Sequence, residues 1–592
     1  VVASPLALIL TLAQAATRLA EASHASGQRP ELGPVLGSRL LTRDAGVIRV
    51  GLTPSAFNGD GSLLLEYDTA AAHNHERIEI TASARFEILD ANGAALISLD
   101  PGASATFARV GGTIDVRAPQ PLGTFPGPLR VRTAAGAVVV VNSMRRLNRL
   151  LPPVGGGFQM TPAPYRGELE VRASEVDPAR LRLIDVIEIE PYVAGVVVNE
   201  SLASIHVEAL KAQAVAARGY ALANVGRFAG RGFDVDDSTL SQVYRGQSSE
   251  TDVALAAAQG TEGIVALRGG RILSALYSSS MGGHTEDNEW VFPSGGLPGT
   301  NADSALRAVH DSAGPLRHDL STDDGVMAFY RALSADAYEV SPTTGQPLTT
   351  QHRWTRTRTS PELLARLKDA SRPWGVPASA SRIDELRVTL RGSSGRAMRV
   401  VVRGDWGETT ISGWSDLRAL ATLAGVTPGG TADNSAPNSP SAFTLARDAT
   451  GAIAGVTFYG GGFGHNVGMS QYGAQGRALR GQDFSQILAG YYAGMQLGSA
   501  PMLLQPGASF ATRVRTGSVA TLVVENDDLP ALGIEIDGRS FVMPLRRGEE
   551  RLVDLIDYVA AGATRIALRP LGEGAAVAYI RREPDGRERP RR

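Results

Sequence analysis

Between Val47 and Val141 the chain is written in short alternating runs, VIRVGL, RIEITAS, ARFEILDANGAALISL, GTIDVRA, LRVRT and AVVVV, cut apart by Gly, Asn, Asp and Pro. A period of two turns one face of each run toward a core and the other toward water, as in half-buried strands joined by tight turns. YRGELEVRA and IDVIEIEPYVAGVVVNE carry the same texture on to Glu200, so YVAGVVV reads as a buried apolar strand ending at that carboxylate. A chain that commits this much length to strands must pack its sheets on one another or on helices.

The texture changes after Glu200. HVEALKAQAVAARGYALANVGRF (206–228) is dense in Ala and Leu, and its apolar positions 210, 214, 217 and 221 fall on one helical stripe. TDVALAAAQGTEGIVALRGGRILSALYSSSMGG then reads as helix, strand, Gly-Gly turn and strand. The stretch 294–382 is rich in Ser, Thr, Pro and Asp and reads as an insertion with modest structure of its own. Strands resume in IDELRVTLRGSSGRAMRVVVRGDWGETTISG, followed by the linker TPGGTADNSAPNSPS. Next come a strand, GAIAGVTF, the glycine-rich run YGGGFGHNVG, and a short helix in SQYGAQGRALRG. The expected fold class is therefore α+β. A β-rich part spans 47–160, a mixed α/β core with a long helix spans 161–505, a small accessory β-domain spans 508–583, and a charged tail spans 584–592.

Composition narrows the function. The 592 residues carry a formal net charge of -2, which argues against a nucleic-acid partner, and there is no cysteine. Disulfides, thiolate zinc sites and cysteine nucleophiles are thereby excluded. In the N-terminal segment 1–46, the apolar run from Pro5 to Ala16 is shorter than the about 20 residues a bilayer crossing needs. It reads either as the tail of a signal peptide or as a docking helix with Leu6, Ile9, Leu10 and Ala13 on one stripe. No other segment reads as a transmembrane span.

As a nucleotide loop the glycine-rich run falls short. Gly462, Gly464 and Gly468 give G-x-G-x-x-x-G, but no parallel strand follows and no Lys-Ser/Thr pair is present. Gly473 and Gly476 would each weaken the following helix by about 1 kcal/mol. His465 titrates in a useful range, yet no acidic residue lies near it in sequence to orient it. It reads as a structural or substrate-contacting histidine, with catalysis the lesser alternative.

Three separated stretches, VVVNESLASIHVEALKAQAVAARGYALAN, ILSALYSSSMGGHTEDNEWVF and GGGFGHNVGMSQYGAQGRALRGQDFSQILAGYYAGMQL, together resemble the stage II sporulation protein D family. APYRGELEV and QVYRG are further echoes in the expected order. That family contains peptidoglycan lytic transglycosylases and amidase enhancers. The resemblance implies that Glu200 is the catalytic acid, with Lys211 and Arg218 as basic substrate contacts. It further implies that Ser279, Thr285, Gln471 and Tyr472 line the cleft, with His465 as support or contact. No cofactor and no metal are expected. Some relatives carry Cys and His before QVY as a zinc site, whereas this chain has DDSTLSQVYRG.

The residues themselves leave alternatives. Lys211 and Arg218, seven apart, share a stripe that is either a ligand-facing basic surface or a solvated one. Glu200 is either a partly desolvated acid or a charge at a helix entry. The polar residues near the glycines are either sugar contacts or local turn bonds, and Trp290 is a candidate stacking face. The family often has Met-Pro and Trp after the Glu, where this chain has SLASIH, and Gly219 and Asn466 replace the usual Thr and Gly.

The activity implied is cleavage of the MurNAc-GlcNAc bond with formation of 1,6-anhydro-MurNAc. One carboxyl suffices, because it donates to the leaving oxygen and then accepts the proton of the attacking C6 hydroxyl. Intramolecular attack removes the need for a second carboxylate to activate water. The alternative is a non-catalytic wall-binding or envelope protein that enhances a partner amidase. Either reading places the chain outside the cytoplasm, in the cell envelope, periplasm or wall, with glycan strands and an amidase or envelope proteins as partners.

Overall fold

The computed structural model describes residues 46–583 except 55–72, 149–150, 152–158, 202–204, 249, 298, 373, 427–432, 505, 507–509, 516–518 and 556–562. The candidate signal remnant or docking helix before Gly46 and the charged tail 584–592 lie outside the described residues. Helices and several sheets make the chain α+β. The described residues within 275–495 form one compact unit, and those within 46–274 and 496–583 form the other.

The second of these holds the alternating runs. Val47–Leu52 pairs antiparallel with Leu181–Glu188, Val47 opposite Glu188 and Leu52 opposite Leu183. Leu181–Glu188 pairs on its other edge with Glu168–Ala173. Ile48, Val50 and Leu52 on one strand, and Ile78, Ile80 and Ala82 on another, are buried on alternate positions, as the period requires. These strands belong to a seven-stranded and a six-stranded sheet whose apolar side chains share one core. A third sheet joins Ile264–Arg268 to Gln496–Ser499 and then to Ala576–Glu583 and Val519–Asn526.

One strand expectation fails. YVAGVVVNE is not a strand but lies in helix α1, Ile189–Glu200. Pro191 sits in its first turn, where an N–H is not needed. Every residue from Tyr192 to Asn199 is buried, so the helix has no polar face and its sequence has no 3.6 period to read. The run of valines, β-branched and apolar on all sides, imitates a buried strand. Gly195 is the close approach inside this helix, since a Cβ there would lie 2.7 Å from the Tyr244 ring.

The best helix expectation holds as α2, Val207–Ala223, with positions 210, 214, 217 and 221 buried. His206 caps it, its Nδ1 accepting from the Glu208 N–H at 3.2 Å. Asn224 ends it, donating to the Tyr220 carbonyl at 2.8 Å. Helix α3, Asp252–Gly260, is capped by Thr251 and packs on both.

In the unit 275–495, Trp354–Thr359 and Ala442–Arg447 flank Ile453–Gly460. Ile383–Arg391, Ala397–Gly404 and Gly407–Ser412 form a second antiparallel sheet. The stretch 294–382 supplies Trp354–Thr359 and two amphipathic helices, Asp323–Arg331 and Ser360–Leu367. A short parallel pair, Tyr277 beside Met469 and Ser278 beside Ser470, brings SSSMGG against GMSQYG. The SQYGAQG segment is the helix Gln471–Ala478. Its Gly476 lies where a Cβ would stand 1.5 Å from the Tyr338 carbonyl, which explains a glycine that propensity alone disfavours.

Gly195→Ala should lower stability by about 1–3 kcal/mol by driving a methyl into the Tyr244 ring. A urea midpoint unchanged from wild type would mean that the ring does not pack on α1 as described.

Candidate functional site

Glu200 is the last residue of α1 and is half-buried. Its Oε1 accepts from the Val243 N–H at 2.6 Å, which fixes the carboxyl group in place. Val243 is held there by its neighbours in QVYRG. Gln242, fully buried, donates to the Ala217 carbonyl of α2 at 3.3 Å and accepts from the Tyr192 hydroxyl of α1 at 3.1 Å. The Tyr244 hydroxyl donates to Asp185 Oδ2 at 2.8 Å. Burial pushes the Asp185 carboxyl up to about 7, against the bonds from Tyr244 and the Gly167 N–H. The roles of Gln242, Tyr244 and Asp185 were not read from the sequence, although QVYRG marked the place.

The two basic residues of α2 have different surroundings. Lys211 is partly exposed and pairs with Glu208 one turn back at 2.6 Å. Arg218 is only 1% exposed. Its Nε and Nη2 donate to the two Glu190 carboxylate oxygens at 2.8 and 2.6 Å, and Nη1 donates to the Ile264 carbonyl at 2.9 Å. The shared stripe is therefore not one ligand-facing surface, because α3 and the strand after it cover the Arg218 end. Arg218 as a substrate contact is corrected accordingly: it is a tie from the start of α1 to α2 and to Ile264–Arg268.

The remaining candidates lie in the unit 275–495. Thr285 is buried, and its hydroxyl accepts from the Val309 N–H at 2.6 Å, so it serves the backbone. The Ser279 carbonyl accepts from the Tyr472 N–H at 3.1 Å. Tyr472 and Gln471, both half-buried, open the helix Gln471–Ala478. His465 Nδ1 accepts from the Val467 N–H at 3.1 Å, and its ring meets the Phe292 edge at 5.3 Å. Burial pulls the His465 imidazole down to about 4, so the ring is neutral at pH 7. Asn466 adopts φ 65°, and its side chain donates to the Ser280 carbonyl at 2.9 Å. Asparagine thus takes the left-handed turn where the family uses glycine.

The largest feature missed in the sequence is Glu339, which is fully buried. Its carboxylate accepts from Ser280 Oγ and Ser470 Oγ at 2.6 Å each, from the Met281 and Gly282 N–H groups at 2.5 and 3.1 Å, and from His352 Nδ1 at 2.9 Å. Burial alone would push this carboxyl up, but His352 and the serine hydroxyls hold it down at about 2. Nothing in AYEV, within a stretch read as an insertion, announces this role. The signal lay in its partners, the adjacent serines of SSSMGG and GMSQYG. Among the described residues no group of three or more His, Cys, Asp or Glu is arranged to hold a metal ion. No helix among them is long and apolar enough to cross a membrane.

Residues 178–267 match the family model described as stage II sporulation protein, and residues 302–468 match a domain of unknown function. An amidase enhancer of Bacillus subtilis is 30% identical over 311 residues, covering 52% of this chain and 40% of its own length. The stage II sporulation protein D of the same organism is 27% identical over 336 residues, 54% of this chain and 77% of its own. An uncharacterized protein of Brachyspira hyodysenteriae is 38% identical over 111 residues, 19% of this chain and 30% of its own. The chain thus spans less than half the length of the first and third of these. A solved family two carbohydrate esterase from Cellvibrio japonicus aligns over 14% of the chain at 19% identity with a TM-score of 0.13, which bears on nothing here. The resemblance to the stage II sporulation protein D family therefore stands, at modest identity.

Two stability measurements check these assignments. Glu339 has its pKa depressed from 4.5, so its contribution is present above pH 4.5 and is lost as pH falls through about 2. Glu339→Gln should cost about 3 kcal/mol or more at pH 7, since it leaves buried donors unmatched. The gap from wild type should narrow between pH 4.5 and 2 in urea titrations, and a constant gap would overturn the ionised carboxylate. Arg218→Gln should lower the unfolding midpoint, by about 2–3 kcal/mol, because Glu190 and the Ile264 carbonyl lose their donor. An unchanged midpoint with weakened ligand binding would restore Arg218 as a contact.

Proposed function

The chain carries a stage II sporulation protein domain over residues 178–267, and from that premise we propose that it is a peptidoglycan lytic transglycosylase of the cell envelope. The observation that carries this reading is the Glu200 carboxyl, half-buried at the end of α1 and positioned by the Val243 N–H at 2.6 Å within the matched segment. General acid–base catalysis requires a carboxyl whose position is set before the substrate arrives. The protonated Glu200 donates to the glycosidic oxygen that leaves C1 of N-acetylmuramic acid. The resulting carboxylate takes the proton of that sugar's C6 hydroxyl as its oxygen closes on C1. The proton balance is zero over the cycle, and the product carries a 1,6-anhydro ring.

Lys211 in one unit, and Ser279, Gln471, Tyr472 and His465 in the other, remain proposed sugar contacts, while Thr285 and Arg218 serve the protein's own backbone and side chains. The working place is extracytoplasmic, where the glycan is.

A second reading is favoured by one specific likeness, the 30% identity over 311 residues to a protein named amidase enhancer. On that reading the chain binds wall glycan and stimulates an amidase without cutting the glycan. Digestion of purified glycan strands separates the two. Wild type should yield 1,6-anhydro-muramic ends by mass spectrometry, and Glu200→Gln should reduce their rate by about 100-fold or more. Binding without cleavage by wild type, together with faster amidase turnover, would select the enhancer reading instead.

A further inference from the structure

Two histidines that the glycan reading leaves unused face each other in the unit 275–495. His284, in SSSMGGHTE, forms an isolated antiparallel bridge with His310. The Thr285 N–H donates to the Val309 carbonyl at 2.9 Å, and the Asp311 N–H donates to the Gly283 carbonyl at 3.0 Å. These two bonds flank the pair. His284 and His310 thus form a non-hydrogen-bonded cross-strand pair, the kind in which opposed side chains stand closest. Their ring centres are 5.9 Å apart, with the planes 30° from parallel. Both rings lean on the edge or face of Phe329, in the helix Asp323–Arg331, at 6.4 and 6.3 Å.

The ring nitrogens are set for ligation. His284 Nδ1 lies 2.8 Å from the Thr285 carbonyl, which can only accept, so Nδ1 carries the proton and Nε2 keeps its lone pair. Metal-binding histidines are oriented in this way, the second ring nitrogen donating to a carbonyl. His284 Nε2 has no hydrogen-bond partner among the described residues and is not sealed from solvent. His310 is half-buried, and its ring makes no hydrogen bond among them. Burial lowers both imidazoles, His284 to about 4, so both are neutral at pH 7. Two imidazoles sharing one tetrahedral ion, about 2.1 Å from each nitrogen, have ring centres about 5–6 Å apart. The observed spacing falls within that range. Arg396 Nη1 donates to the His284 carbonyl at 3.0 Å, and the Asp311 carboxylate is committed to Arg477 and Tyr491. The pair therefore offers nitrogen donors without negative charge, which suits a transition-metal ion and not Mg2+ or Ca2+.

We propose that His284 and His310 form a site for one divalent transition-metal ion of the Zn2+ class, with water completing its coordination. The ion staples the GGHT turn to the segment 309–311. That turn follows the Met281 and Gly282 N–H groups that meet Glu339, and the segment places Asp311 against Arg477 and Tyr491. Binding adds to the stability of this unit, because the ion is held by the folded pair and not by the unfolded chain. Two protein ligands make a weaker, more exchangeable site than the four of a structural zinc centre. The site is independent of whether the chain cleaves glycan. It also lies in the other unit from DDSTLSQVYRG, where some relatives carry zinc ligands.

Isothermal titration of the chelator-treated full chain with ZnCl2, and separately with MgCl2, tests the site, with thermal unfolding followed alongside. Zinc should bind saturably and raise the unfolding temperature, and magnesium should do neither. His310→Ala removes a half-buried ligand that has no hydrogen bond to lose. It should weaken zinc by at least about 10-fold and abolish the rise in unfolding temperature. His284→Gln should match it, and His310→Ala decides alone if that buried variant does not fold. His318→Ala changes another histidine packed on Phe329, at 6.3 Å, and should leave zinc affinity unchanged. Absence of saturable zinc binding, unchanged affinity in His310→Ala, or an equal loss in His318→Ala would each overturn the site.

Discussion

The unit 275–495 depends on one buried charge. Glu339 gathers two serine hydroxyls, two backbone N–H groups and an imidazole around a carboxylate that has no contact with water. An ion in that position is tolerable only because every strong donor near it points inward. In return the carboxylate dictates where SSSMGG and GMSQYG must lie. Ser470 reaches it from one of the two short parallel strands and Ser280 from just past the other, and the turn of Met281 and Gly282 folds onto it.

The other unit uses the same device with different groups. Arg218 draws the first turn of α1, the middle of α2 and the strand Ile264–Arg268 together through one guanidinium. Gln242 then links α1 to α2, which leaves the Val243 N–H facing Glu200. The carboxyl proposed for chemistry is thus held by a network of hydrogen bonds within the protein. Such networks favour one arrangement over its competitors more than they add stability, since a half-satisfied version is costly.

This division changes how the motif residues are valued. Thr285, Ser280, Ser470 and Asn466 all spend their side-chain hydrogen bonds on the protein itself. Their presence in long, ordered motifs reflects the demands of a tightly closed turn system as much as those of a glycan. Glu200, Gln471 and Tyr472 are half-buried and retain a surface.

The sequence by itself determined the α+β class, the alternating strands from Val47, helix α2 and the turn at Asn466. Each is written in local periodicity or in the φ preference of one residue. Through resemblance it also marked Glu200 and QVYRG as candidates. Only the tertiary structure decided that YVAGVVV is helical, because burial on every side erases the period that distinguishes a helix from a strand. Only it decided that Arg218 is enclosed, since spacing fixes a stripe but not what covers it. The pairing of Glu339 with Ser280 and Ser470, 59 and 131 residues away, could not be read locally. A hydrogen bond between distant residues leaves no periodic trace in the chain that makes it.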